Sequence, residues 1–158
     1  MKTVVRRSLI ADSQLQSRVK DGLQALKSVD RVRVAVDIRT RFEDSIDIDA
    51  AFEAANPTDN RWDYLLGDKP TGRMIGVEPH SAKSDEVSTV IAKKDRAREH
   101  LRPHLRKGCQ VFEWFWVSSG TVHFPDMDRT EKRLAQANIT FVGRQLKKGD
   151  LKRLDAGL

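Results

Sequence analysis

Three residues on one predicted hairpin carry the chemistry this chain offers: Asp63, Glu78 and His80. Arg61-Trp62-Asp63-Tyr64-Leu65-Leu66 leads into a turn at Gly67-Asp68-Lys69-Pro70-Thr71-Gly72, and Arg73-Met74-Ile75-Gly76-Val77-Glu78-Pro79-His80 returns from it. Side chains alternate faces along a strand. A turn across 67–72 therefore sets Asp63 opposite Gly76 or Glu78, which share a face, with His80 further along that face. Two carboxylates and a basic group brought together suit a Mg²⁺ or Mn²⁺ site for cutting a phosphodiester. Mg²⁺ takes oxygen ligands, usually one or two carboxylates with water and substrate phosphate, and it polarises the phosphate and activates water. The backbone carbonyl of Val77 can face the same metal. Imidazole side chains titrate near neutrality, so His80 could orient or deprotonate water. A purely structural reading stands beside this one: Asp63 as a surface acid near a turn, and Glu78 paired across the strands with Arg61 or Arg73.

The elements that must position these residues are legible in outline. Residues 12 to 28 read as a helix, capped by Asp12 or Ser13, with Leu15, Val19, Leu23 and Leu26 near helical spacing. Val32, Val34, Val36 and Ile38 alternate with charged residues and predict a half-buried strand. Ser45 to Asp49 alternates briefly before a short helix over 50–55, which Asn56-Pro57 ends. After the hairpin, Ser84, Asp85 and Glu86 start a helix. Its apolar stripe is Val87, Val90, Ile91, Ala97 and Leu101, and Pro103 ends or bends it. Gln110 to Val117 predicts a strand covered on both faces. Glu113 interrupts it and needs a partner if buried. Asp128 can cap a helix through about Asn138, and Ile139 to Val142 predicts a final strand. Residues 147–158 read as a polar, flexible tail, leaving 1–146 as one α/β domain. From residue 45 the order is helix, strand, strand, helix, strand, helix, strand, which a single mixed β-sheet flanked by helices accommodates.

With Asp63 on one strand and Glu78-Pro79-His80 on the next, the layout resembles the PD-(D/E)XK nuclease superfamily over roughly residues 45 to 120. The resemblance implies a restriction-endonuclease-like core, a divalent metal and cleavage of nucleic acid. Asp63 matches the family's aspartate, and Glu78-Pro79-His80 stands where Glu-X-Lys would be. Trp62 rather than proline precedes Asp63, His80 replaces the lysine, and Pro79 lacks the N–H of an interior strand residue. In some members the lysine moves to the following helix, which points to Lys93 or Lys94, with Lys83 in the connecting loop. An additional acid from the preceding helix would be Glu53, with Asp47 and Asp49 as rivals.

Composition narrows the partners. The chain has 158 residues, 33% of them charged and 6% aromatic, with a formal net charge of +6. One domain with a real core fits this length, and the excess of Lys and Arg is compatible with a polyanion such as nucleic acid. Cys109 is the sole cysteine. No intrachain disulfide can form, and a reducing cytoplasm fits best. No apolar run approaches the roughly 18 residues of a membrane span, and Met1 to Arg7 has no apolar core following it, so neither membrane association nor a signal peptide is expected.

Other constellations have weaker chemical readings. His100 and His104 sit four apart, but Pro103 between them and the lack of thiols other than Cys109 argue against zinc. His123 reads as an ordinary strand or loop residue and Cys109 as a small buried hydrophobe. Trp114, Phe115 and Trp116 could stack bases, although consecutive strand residues face opposite ways and suit a core better. Arg96, Arg98, Arg102, Arg106 and Lys107 could track a phosphate backbone or form the solvated face of a helix. No glycine-rich phosphate loop is present. Besides a nuclease, the pattern admits a catalytically inactive nuclease-fold module that binds nucleic acid or a protein, and a homo-oligomer or partner subunit meeting another chain through the aromatic strand or a sheet edge.

Overall fold

A single mixed sheet of six strands, in the spatial order β1-β2-β3-β4-β5-β6, organises the computed structural model, which describes residues 2–156. In chain order the elements are α1 (Val4–Ser8), β1 (Lys20–Asp21), α2 (Ser28–Arg31), β2 (Phe42–Asp47), α3 (Ile48–Glu53), β3 (Tyr64–Asp68), β4 (Arg73–Lys83), α4 (Val87–Leu101), β5 (Val111–His123), α5 (Met127–Gln136), β6 (Ile139–Phe141) and α6 (Lys152–Asp155). Strands β1 to β4 pair antiparallel as a meander. β4–β5 and β5–β6 pair parallel, with α4 and α5 as the crossovers, because parallel neighbours need a connection long enough to return to the starting edge. From α3 to β6 the expected order of helix, strand, strand, helix, strand, helix, strand is the one observed, with β2 before it and α6 after it.

The sheet separates two cores. α1, α3, α4 and α5 cover one face, where Leu65, Trp114 and Trp116 meet Val90, Ala97, Leu101 and Leu134. The segment 23–41, with α2 and a 3-10 helix, and the segment 142–154 cover the other, against Leu66, Ile75, Val77, Phe115 and Val117. Trp114, Phe115 and Trp116 therefore alternate between the cores rather than forming a stacking surface. Each contributes about 2 to 3 kcal/mol by leaving water. Glu113 is also buried. Thr140 donates to one of its carboxylate oxygens at 2.8 Å, while the other has no partner among the described residues.

Two acids of β2 pin the N-terminal helix to the sheet. The carboxylate of Asp44 accepts the N–H groups of Val5 and Arg6, and that of Glu43 accepts the N–H of Val4. These are the donors that a helix leaves unsatisfied at its start. Gly67 is required beside this contact, since a Cβ there would lie 2.0 Å from Asp44 Oδ1.

The N-terminal quarter departs from its expected form. Residues 12 to 28 are a 3-10 turn (Gln14–Arg18), the two-residue edge strand β1 and further turns. Gly22 takes φ +53, which stops a helix there. Leu15 and Val19 enter the helix-covered core and Leu23 and Leu26 the other, so the apolar spacing marks a segment wrapping the sheet edge. The expected strand at 32–38 is likewise absent. Val34 and Ile38 are buried, while Val32 and Val36 are 55% and 73% exposed, and a 3-10 helix runs Val36–Arg41. Spacing of four, rather than two, was the operative period.

The C-terminal segment is not a loose tail over its described part. Leu151 and Leu154 are fully buried. Arg41 bridges Asp68 and Asp155 at 2.6 Å each, and Arg73 donates to the carbonyl of Leu154. Gly157 and Leu158 lie outside the described residues. Among the described residues no helix is long and apolar enough to cross a membrane.

Candidate functional site

The hairpin closes, with Gly67 and Asp68 paired in β3 rather than in the turn and Gly72 in the left-handed region of the shorter turn 69–72. Tyr64 pairs with Val77 and Leu65 with Gly76, so Asp63, one residue before β3, comes opposite Glu78. The Asp63 N–H donates to Glu78 Oε1 at 2.9 Å. Gly76 makes this approach possible. Trp62 and Trp114 pack edge to face with centroids 5.0 Å apart, and a Cβ on Gly76 would lie 2.6 Å from the Trp114 ring and 3.0 Å from Trp62 Nε1. Trp62 is the anchor that sets Asp63. Its own indole N–H is buried without an acceptor among the described residues.

Glu78 is wholly buried on the helix-covered face. Lys93 of α4 reaches down to it, with Nζ 2.6 Å from Oε2. His80, on the same face of β4, places Nδ1 3.6 Å from Glu78 Oε2, while its Nε2 lies 2.8 Å from Glu86 Oε2. The cluster is thus Asp63 and Glu78 as acids, Lys93 as their cation, and His80 held between Glu78 and Glu86. Neither Arg61 nor Arg73 pairs with Glu78. Arg61 bridges Asp49 at 2.9 Å, and Arg73 lies over the Phe112 ring.

The electrostatics are those of buried negative charge in excess. Burial pushes the Asp63 carboxyl up to about 7, against the opposing pull of Lys93 and with help from Asp49. Burial pushes Glu78 up to about 8, with repulsion from Asp63 next and Lys93 opposing. Burial works against the Lys93 ammonium, but Glu78 overrides it and the net direction is up. Two acids that near each other, with one fixed cation, lose protons as a coupled pair. Such an arrangement fits an additional cation: the Asp63 carboxylate receives no hydrogen bond among the described residues, and oxygen donors of this kind suit Mg²⁺ or Mn²⁺.

Other expected members fall elsewhere. Lys94 is not part of the cluster. It lies in the buried stripe of α4 and donates to the carbonyl of Ala137 at 2.6 Å, toward α5. The spacing Val90, Lys94, Ala97, Leu101 contained that distinction, since it makes 94 a stripe position and 93 its flank. Val77 is in register with both Tyr64 and Phe115, and its side chain enters the opposite core. Its carbonyl lies in the plane of the sheet between paired strands, a poor place for a ligand on the carboxylate face. Pro79 is tolerated within β4 because β3 has already ended, leaving only β5 beside it.

Glu53 is exposed, Asp47 caps α3 by accepting the Ala50 N–H, and Asp49 holds Arg61. Glu86 was legible only as a helix-start acid. Its role beside His80 depends on the 3-10 turn Ser84–Glu86 folding back over β4. His100 and His104 brace Phe52, bonded to Asp59 and Ser13 respectively, and share no ligand position. Compared with protein-family models, curated proteins and solved structures, the chain has no match in any of the three.

Proposed function

We propose that the chain is a divalent-metal-dependent nuclease-like hydrolase of nucleic-acid phosphodiesters, of PD-(D/E)XK type. The observation that supports it most is the convergence of Asp63 and Glu78 across the hairpin with Lys93 delivered from the following helix. The element order β2-α3-β3-β4-α4-β5, with β4 and β5 parallel, supports that reading.

Asp63 and Glu78 would hold Mg²⁺ or Mn²⁺. The bound ion would supply Lewis-acid polarisation of the phosphate and a water of lowered pKa. Lys93 opposes the burial that favours the protonated Glu78 and places positive charge where the phosphate gains negative charge. His80, oriented by Glu86, is positioned to accept a proton from the attacking water. Hydrolysis then forms one P–O bond to that water and breaks the bond to the leaving sugar oxygen, which takes up a proton.

A second reading has its own observation. Both Glu78 oxygens are already engaged, by Asp63 N–H and Lys93, and no group of three His, Cys, Asp or Glu residues that could hold a metal occurs among the described residues. A catalytically inactive module that binds nucleic acid or a protein would show the same features. Incubation of labelled single- and double-stranded DNA and RNA with Mg²⁺ or Mn²⁺ separates the two readings. The hydrolase reading expects cleavage by the wild type and loss of at least about a hundredfold in Glu78→Gln and Asp63→Asn. No metal-dependent cleavage of any substrate supports the inactive module, and cleavage that survives both substitutions places the site elsewhere.

A further inference from the structure

On the other flank of α4 from Lys93, a cavity of about 580 Å³ opens between α4, the connection to β5 and the end of α5. Five cations line it, Lys94, Arg98, Arg102, Arg106 and Lys107, and no Asp or Glu does. None of the five takes part in an ion pair among the described residues. Arg98, Arg102, Arg106 and Lys107 stand exposed at the rim, and Lys94, 6% exposed, lies at the base.

Lys94 is the informative member. Among the described residues its single hydrogen bond is to a neutral carbonyl, Ala137 O, which leaves a buried ammonium without a counter-charge there and with two donors to spare. Burial and then Arg98 push its pKa down, with Asp95 on its own helix the acid that opposes them. Gathering like charges around a hollow costs free energy, and an anion in the hollow offsets that cost. A cleft lined by one sign of charge also concentrates the field on whatever enters it.

The volume falls in the range of small-molecule sites, about 300 to 1,000 Å³, and exceeds what one phosphate fills. Arginine forks match phosphate oxygens in pairs. Gln136 and Asn138 at the opposite wall offer amides that both donate and accept, which suits sugar hydroxyls or base edges.

We propose that this cavity binds the phosphate-bearing portion of a nucleotide, either free or as one unit of a single strand. The inference does not depend on the carboxylate cluster, which lies across α4.

The test is titration of the full chain with adenosine triphosphate and with a fluorescent thymidine decamer, both in the presence of a chelator so that no metal-dependent chemistry contributes. Saturable binding is expected for at least one probe. Arg98→Glu/Arg102→Glu should weaken it at least about tenfold and lower the salt dependence by about two charges. These side chains are exposed, and a retained melting temperature verifies that the variant folds. Arg129→Glu/Lys132→Glu on exposed positions of α5 makes the same change in net charge and should alter binding less than about twofold. Binding of both probes identifies a free-nucleotide site, and binding of the decamer alone identifies a strand site. Failure of both probes to saturate, or equal weakening by the two double variants, overturns the proposal.

Discussion

The Lys93 ammonium lies 2.6 Å from the Glu78 carboxylate, and this contact ties α4 to β4 at the centre of the sheet. The same carboxylate accepts the Asp63 N–H through its other oxygen. One buried side chain thereby joins three pieces of chain: the entry to β3, the middle of β4 and the middle of α4. An ion pair in such a position stabilises less than its Coulomb attraction suggests, because both groups have left water. Its stronger consequence is that removing one partner strands the other.

Lys93→Met should therefore destabilise the fold by about 3 kcal/mol above about pH 8, where Asp63 and Glu78 have lost their protons and two buried charges would be left with no fixed cation. Arg96→Met, on the exposed face of the same helix and paired only with Glu99, should cost no more than about 0.5 kcal/mol. Chemical denaturation measures both. In the cleavage assay Lys93→Met should fall at least about tenfold and Arg96→Met should not change. Equal behaviour of the two variants would remove Lys93 from the site.

Stability should decline from mildly acid to mildly alkaline pH. The carboxyls of Asp63 and Glu78 hold their protons up to about 7 and 8 in the folded chain, well above an unfolded carboxyl. The folded state therefore binds more protons than the unfolded state across this window, and unfolding free energy falls as pH rises. The contribution is complete below the unfolded carboxyl pKa, near 4, and is lost as pH passes through 7 to 8. The decline should be on the order of 2 to 4 kcal/mol. Glu78→Gln should flatten it. Millimolar Mg²⁺, if bound, should raise the melting temperature more at pH 8 than at pH 6, because it replaces protons that have already left. A melting temperature that rises steadily from pH 5 to pH 9 would contradict this electrostatic picture.

The part of the chain read correctly from sequence is the part where local signals agree. In the hairpin, turn residues and alternation both put Asp63 on the face of Gly76 and Glu78, and the observed register, Tyr64 with Val77, selects Glu78. The choice between Lys93 and Lys94 required knowing which face of α4 meets the sheet. Both residues sit among cations; the stripe at 90, 97 and 101 puts 94 on the buried face and 93 on its flank, but does not say which flank meets the carboxylates. The N-terminal quarter misled because Leu15, Val19, Leu23 and Leu26 serve two cores on opposite sides of the sheet. A spacing that is helical in sequence can be produced by chain wrapping an edge. Lys147 to Asp155 misled for the opposite reason. Its charges are real, but Leu151 and Leu154 are enough to anchor it.

Gly76→Ala should disturb the site without touching a charged group. The added methyl would enter the space of the Trp114 ring and the Trp62 indole. Overpacking of this kind costs about 1 to 3 kcal/mol, and the easiest relief is movement of Trp62, which carries Asp63 with it. Gly149→Ala places its methyl in open space and should change stability by less than about 0.5 kcal/mol. Intrinsic tryptophan fluorescence together with urea denaturation reads both effects. If Gly76→Ala unfolds like wild type and leaves the emission spectrum unmoved, Trp62 does not set the position of Asp63.

Leu154→Ala tests whether the C-terminal segment belongs to the fold. Leu154 is fully buried in the core that also holds Ile75 and Phe115, and its carbonyl accepts a hydrogen bond from Arg73 at the far end of β4. Truncation of a buried leucine leaves a cavity and costs about 2 to 5 kcal/mol. The neighbouring Arg41 guanidinium, joined to both Asp68 and Asp155, would keep the backbone in place, so the loss should lie within the cavity range rather than reflect release of the segment. Asp155→Asn removes one of those charge-assisted bonds at a position that is one-third exposed. It should cost less, about 1 kcal/mol, and only above the pH at which Asp155 ionises, since the guanidinium holds that carboxyl below its ordinary value. Urea denaturation of the two variants gives the comparison. A Leu154→Ala chain as stable as wild type would mean that residues 148–155 are not packed against the sheet in solution.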